Sequence, residues 1–202
     1  MLRSIAYVDG YNLYYGLRTK RWKKYYWLNI QKLVQQFLRP PQTLVSTKYF
    51  TTIIKYPNDK RHRQQVYLEA LKTLPDFQIY YGHFLSDEIT CLNCGHTYTT
   101  YHEKMTDVNI AVELMQDAFK DYFDLAFLLS ADSDLVSPIS SVQKSFPGKQ
   151  VICIFPPKRS SHALKQVSNG VVHIGRNELA KSKFPDRVLK DGVTLRRPPH
   201  WR

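Results

Sequence analysis

The sequence predicts an α/β domain on a parallel, Rossmann-like sheet with helices on both faces and a small CxxC-containing hairpin insert. Three observations carry this. Short, nearly continuous apolar runs such as Ser4–Val8 and Leu125–Ser130 alternate with segments of helical periodicity. Strands covered on both faces read as unbroken apolar runs, and β-α-β order makes them parallel neighbours. The 202 residues, 43% of them hydrophobic, suffice for one such core with small additions.

Taken in order, Ser4–Val8 stops at Asp9-Gly10 and reads as a buried strand ended by a loop. Leu28–Leu38 has apolar residues near helical spacing until Pro40-Pro41 ends it. Thr43–Ile54 is rich in β-branched and aromatic residues and predicts a strand. Asn58–Leu74 predicts a helix with Lys60, Arg61 and Arg63 exposed near its start, and Phe77–Phe84 a further strand. Residues 85–104 break the pattern with Cys91, Cys94, Gly95 and several threonines, which predicts an inserted hairpin. Asp107–Phe119 predicts a helix with a broad buried face that includes Val108, Val112 and Phe119. Leu125–Ser130 is a strand, Leu135–Phe146 a helix with Pro138 in its first turn, and Gln150–Phe155 a strand. Ser160–Val167 and Val171–Ile174 supply a last helix and strand. The expected organisation is one domain over residues 1–180, with the insert at 85–104, and a basic tail over 181–202 that is either mobile or laid on the surface.

Charge is distributed unevenly. Lys and Arg number 29 against 17 Asp and Glu, a net of +12, which favours a polyanionic partner. Residues 15–65 carry +11, residues 66–157 carry −7 and residues 158–202 carry +8. An acidic centre framed by basic arms suits a cation site beside phosphate contacts, although acids and bases that simply pair across the fold would give the same count. No apolar run approaches the ~18 residues that span a bilayer. The N-terminus meets Asp9 too soon for a signal-peptide core, and three cysteines, two of them in a CxxC, do not make a disulfide framework; a cytoplasmic location is expected, with no membrane partner.

Acidic residues at strand ends carry the chemical signal, because ligands of open parallel sheets gather beyond the carboxyl ends of strands. Asp9 follows the first strand, Asp132 and Asp134 follow Leu125–Ser130, and Asp107 opens a helix that faces the same edge. Taken singly, each also suits a helix cap or a turn. Converged and unpaired they would repel, so convergence calls for divalent cations or raised pKa values. Asn12 donates to a phosphate, fixes Asp9, or forms an Asx turn after Gly10. Ser130 and Ser133 lie outside any GxSxG elbow, which disfavours a serine hydrolase, and Tyr11 stands where an aspartyl-phosphate phosphatase needs its second Asp.

The segments YVDGYNLYYGLR, EKMTDVNIAVELMQDA and LLSADSDLVSPI, in that order over residues 3–175, resemble the three signatures of the NYN-domain family, a branch of the PIN-like nucleases. The resemblance implies a PIN-like fold and an endoribonuclease that uses Mg²⁺ or Mn²⁺. It places Asp9, Asp107, Asp132 and Asp134 as the metal-holding acids and Asn12 beside the first. Hard Mg²⁺ with carboxylate and water ligands suits phosphodiester hydrolysis, with Asp9 and Asp132 as direct ligands and Asp107 and Asp134 on a second ion or on water. A non-catalytic RNA-binding module and a DNA-directed nuclease are the alternatives, and a homodimer is left open.

CLNCGH offers two thiolates, Cys91 and Cys94, at zinc-knuckle spacing, with His83, His96 and His102 as candidates to complete a structural Zn²⁺ site; a plain hairpin and a redox pair are the alternatives. Cys153 lies in a strand and reads as buried packing. For nucleic acid, Arg18, Arg21, Trp22, Lys23 and Lys24 interleave with aromatic residues, and Arg61, Arg63, Lys158 and Arg159 read as further backbone contacts. Trp22, Tyr25, Tyr26 and Trp27 would equally serve as packing beneath the first helix.

Overall fold

A computed structural model describes residues 1–201, and of Tyr101 the backbone alone; the last residue of the expected tail, Arg202, lies outside the described residues. The central sheet contains β1 (Leu2–Asp9), β2 (Gln42–Thr51), β3 (Phe77–Tyr81), β6 (Leu125–Leu129), β7 (Gln150–Phe155) and β8 (Gly170–His173). These stand in the order β3-β2-β1-β6-β7-β8, and every pairing is parallel. The order reverses between β1 and β6, which opens a crevice beyond their carboxyl ends.

Alternation along the strands builds two cores. Ala6 and Val8 of β1 with Leu125, Phe127 and Leu129 of β6 pack under α1 (Gly10–Thr19), α2 (Ile30–Gln35), α3 (Asn58–Leu71) and α7 (Arg176–Lys181). Ile5 and Tyr7 with Ala126 and Leu128 pack under α4 (Thr106–Phe119), α5 (Val136–Ser145) and α6 (His162–Val167). On the second face a buried Lys48 ammonium meets Glu113 at 2.7 Å and Asp117 at 2.6 Å, and the Tyr7 hydroxyl donates to Asp117 at 2.6 Å. Among the described residues no helix is long and apolar enough to cross a membrane.

Several elements differ from the sequence expectation. The helix expected over Leu28–Leu38 runs only from Ile30 to Gln35, because the Asn29 side chain accepts the Lys32 N–H and sets its start. The strand expected over Phe77–Phe84 is two strands divided at Gly82; the second, β4 (His83–Thr90), leaves the sheet and pairs antiparallel with β5 (Thr97–Lys104). The buried face of α4 is narrower than expected: Ile110, Leu114, Asp117 and Ala118 face the sheet, while Val108, Val112 and Phe119 are exposed. Past residue 181 the described residues include β9 (Arg187–Lys190) and β10 (Val193–Arg196), paired antiparallel, and a 3₁₀ turn at Pro199–Trp201. The Trp201 ring meets Tyr26, Trp27 and Tyr67, and this aromatic contact lays the tail against the domain.

Candidate active site

Asp9 ends β1 and caps α1. Its Oδ1 accepts the Asn12 N–H at 2.8 Å, which satisfies one of the free donors at the helix start. Gly10 opens that helix hard against β2: a Cβ there would lie 2.5 Å from the Tyr49 hydroxyl and 2.9 Å from the Phe50 carbonyl oxygen, so only glycine lets Asp9 sit at this depth. From the other side of the crevice, the Ser130 hydroxyl donates to Asp9 Oδ2 at 3.0 Å and accepts the Asp132 N–H at 3.1 Å. Asn12 closes the loop, its side-chain oxygen accepting the Ala131 N–H at 3.2 Å. The two strand ends are thus tied by side chains, and Asn12 and Ser130 position the acids. Asp132 in turn accepts the Asp134 N–H at 3.0 Å, which fixes the turn that presents both residues.

The α4 start brings the remaining acids. Met105 adopts a left-handed φ of 80°, uncommon for a side chain of its size, and the chain folds back so that Glu103 accepts from the Thr106 N–H at 3.3 Å and from the Thr106 hydroxyl. Glu103 also accepts from Thr52 Oγ1 at 3.2 Å. A Cβ on Gly82 would stand 2.5 Å from the Lys104 carbonyl and 3.0 Å from Glu103 Oε1, so this glycine gives the ribbon room to deliver Glu103. Sequence reasoning did not single out Glu103. Its only signal was an acid four residues ahead of Asp107, whereas its role depends on Thr52, which lies 51 residues upstream, as well as on the nearby Thr106.

These carboxyls share one electrostatic field. Burial pushes Asp9 up to about 6, against the hydrogen bonds from Asn12 and Ser130, with the charges of Asp132 and Glu103 adding to the rise. Burial likewise pushes Asp107 up to about 7, followed by the charges of Asp9, Asp132, Glu103 and Asp134. The structure therefore brings Asp9, Asn12, Asp107, Asp132 and Asp134 to one edge, with Glu103 as a fifth acid. The donor set, all hard oxygen and strained by mutual repulsion, fits Mg²⁺ or Mn²⁺. Among the described residues no three His, Cys, Asp or Glu side chains stand close enough to grip one ion together. The fit is to a cation that keeps several waters and takes one or two direct carboxylates.

The four-ligand zinc site expected from the sequence is not assembled within the described residues. His83 pairs with Lys104 at the base of the ribbon, while Cys91 lies past its far end, eight residues along β4 and roughly 25 Å away at the rise of an extended strand. His102 sits opposite Leu85, also along the ribbon, and the His96 ring stacks on Tyr98. The turn itself is a tight knuckle: the Gly95 N–H donates to the Cys91 carbonyl at 2.8 Å, and Gly95 has a φ of +69°. Backbone N–H groups of Cys94 and Asn93 reach the Cys91 sulfur and lower its pKa. Among the described residues these side chains do not fit a closed four-ligand zinc site.

Of the expected nucleic-acid contacts, Arg18, Lys23 and Arg63 line a cavity of about 490 Å³ that Gly10, one peptide from Asp9, also lines. Arg18 and Arg159 both lie over the Tyr15 ring, at 5.8 and 5.7 Å. Arg21, Lys24, Arg61 and Lys158 are exposed, Lys24 lying over Tyr25 at 5.3 Å. Trp22 does not offer an open stacking face: Lys20 and Arg176 lie over its ring at 5.4 and 5.9 Å, and Tyr25 packs edge-on. Tyr25 and Trp27 are buried core residues.

The NYN domain model matches residues 3–175, spanning the sheet and all five acids. The chain belongs to the NYN-domain family. NYN proteins are generally nucleases with a PIN-like fold, which agrees with the acid cluster at the switch point. A curated relative, 6-hydroxy-3-succinoylpyridine 3-monooxygenase HspA of Pseudomonas putida, is 24% identical over 239 aligned positions, covering 99% of this chain and 75% of that protein. Among solved structures, a protein of unknown function from Vibrio parahaemolyticus matches with a TM-score of 0.57 at 18% identity, over 91% of this chain and 96% of that one. That likeness shows a shared fold for the NYN domain.

Proposed function

We propose that this NYN protein is a divalent-metal-dependent endoribonuclease that hydrolyses RNA phosphodiester bonds. One observation carries the reading: five acids from three chain segments meet at the switch point, where Asp9 and Asp107 are both held above the usual carboxylate range. Asp9, Asp107, Asp132 and Asp134 would hold Mg²⁺ or Mn²⁺, directly or through water. When bound, the cation supplies Lewis acidity toward a phosphate oxygen and lowers the pKa of an attacking water. The remaining work belongs to the chain. Ser130 and Asn12 keep Asp9 oriented, Glu103 fixes the α4 start that presents Asp107, and Arg18, Lys23, Arg63 and Arg159 neutralise the RNA backbone on its approach. Incubating the purified protein with labelled single- and double-stranded RNA and DNA, with Mn²⁺ and with EDTA, tests this. Internal cleavage of RNA that needs Mn²⁺ and stops in EDTA is expected. RNA bound without cleavage by any divalent ion would leave a binding module, and preferential cutting of DNA would reassign the substrate.

A further inference from the structure

The cavity that opens beside Asp9 has chemistry of its own. Its volume of about 490 Å³ falls in the range of small-molecule sites. Tyr14, Tyr26 and Trp201 supply aromatic wall, while Arg18, Lys60 and Arg63 supply positive charge, and no Asp or Glu is among its lining residues. A cavity that combines ring faces with a net excess of positive charge, Arg63 alone being paired with an acid among the described residues, Asp59 at 2.7 Å, selects a planar ring joined to an anion, since the ring stacks and the anion meets guanidinium and ammonium donors. The tail is part of the wall. Trp201 packs edge-on against Tyr26 at 5.8 Å and Tyr67 at 5.9 Å, so the chain's last turn closes one side. Gly10, next to Asp9 in the chain, lines it as well, and the Tyr49 hydroxyl, also lining the cavity, feels the Asp9 charge.

We infer that this cavity is a nucleotide pocket, which takes one unstacked base of the RNA strand against its aromatic wall and holds that nucleotide's phosphate on Arg18 and Lys60. The inference rests on the nuclease reading for the origin of its ligand, and it adds a base preference at a fixed distance from the cut. Single-stranded RNA is read this way because its bases can be splayed out and stacked on side chains.

Calorimetric titration in EDTA with each of the four nucleoside 5′-monophosphates, ribose 5-phosphate and nicotinate tests the pocket without catalysis. At least one nucleotide should bind ~10-fold or more tightly than ribose 5-phosphate, consistent with base-stacking contributions. That affinity should fall by a similar factor in Tyr14→Ala and in Arg18→Ala, each checked for an unchanged circular dichroism spectrum. Ribose 5-phosphate binding as tightly would show a phosphate site only, and nicotinate binding as tightly as every nucleotide would show a pocket for small aromatic acids; either overturns the assignment. Unchanged affinity in both folded variants overturns its location. The two readings separate cleanly. Nucleotide binding in a protein that cuts no RNA keeps the pocket and removes the nuclease, whereas cleavage with no nucleotide binding and no base preference around the cut removes the pocket alone.

Discussion

The Ser130 hydroxyl donates to Asp9 across 121 residues of sequence, at 3.0 Å, and this bond joins the two strand ends on which the acid cluster is built. It is one of two bonds that oppose the upward push of burial on the Asp9 carboxyl. Ser130→Ala should therefore raise the Asp9 pKa further, shifting the acid limb of the pH–activity profile alkaline by roughly one unit. An unmoved limb in the folded variant would show that Asp9 does not control that ionisation.

Asp9 and Asp107 make stability depend on pH when no cation is bound. Both titrate above the usual carboxylate value, near about 6 and about 7, so between about pH 4 and pH 7 the folded chain binds more protons than the unfolded chain. The stability they contribute is complete below about pH 4 and is lost as pH rises through those two values. Thermal melts in EDTA should show Tm falling over that window, less steeply in Asp107→Asn, and Mn²⁺ should restore part of the loss at neutral pH. Equal slopes in the parent and the variant would contradict the shared field.

The buried Lys48 sits between Glu113 and Asp117, and removing its charge leaves two acids facing the core. Lys48→Met should cost roughly 3–5 kcal/mol, read from urea denaturation, because an uncompensated buried charge is worse than either a pair or an apolar replacement of both. A loss under about 1 kcal/mol would mean that water reaches the cluster.

Much of this architecture was legible in the sequence, and what was missed shares a cause. β7 was readable as Gln150–Phe155 because a continuous apolar run between a glycine-containing turn and Pro156-Pro157 admits few alternatives. Asp9, Asp107, Asp132 and Asp134 were readable because each follows a strand or opens a helix. Glu103 was not, since its partners Thr52 and Thr106 meet only after the ribbon folds back. His83 as a zinc ligand was misplaced for the same reason: spacing in sequence put it near Cys91, and an extended strand carries them apart. Sequence left open whether the basic tail with Trp201 is mobile or laid on the surface, because its partners Tyr26 and Tyr67 lie far upstream.

Thiol reactivity should separate the knuckle from the core. Cys94 is exposed and the Cys91 thiol is lowered by backbone N–H groups, whereas Cys153 is buried and pushed up to about 11. In native protein two of the three thiols should react promptly with a disulfide reagent, and the third only on unfolding. Protection of Cys91 and Cys94 that is lifted by a chelator would instead reveal a metal on the knuckle, completed by ligands from outside this chain.

The central claim is that the acid cluster performs chemistry on RNA, and parallel measurement of cleavage and binding in Asp132→Asn tests it most directly. Removing one carboxylate charge should lower Mn²⁺-dependent cleavage by ~100-fold or more, while RNA affinity holds or tightens because less negative charge faces the phosphates. Cleavage at the parent rate in a variant that binds RNA equally well would place the chemistry elsewhere in the molecule.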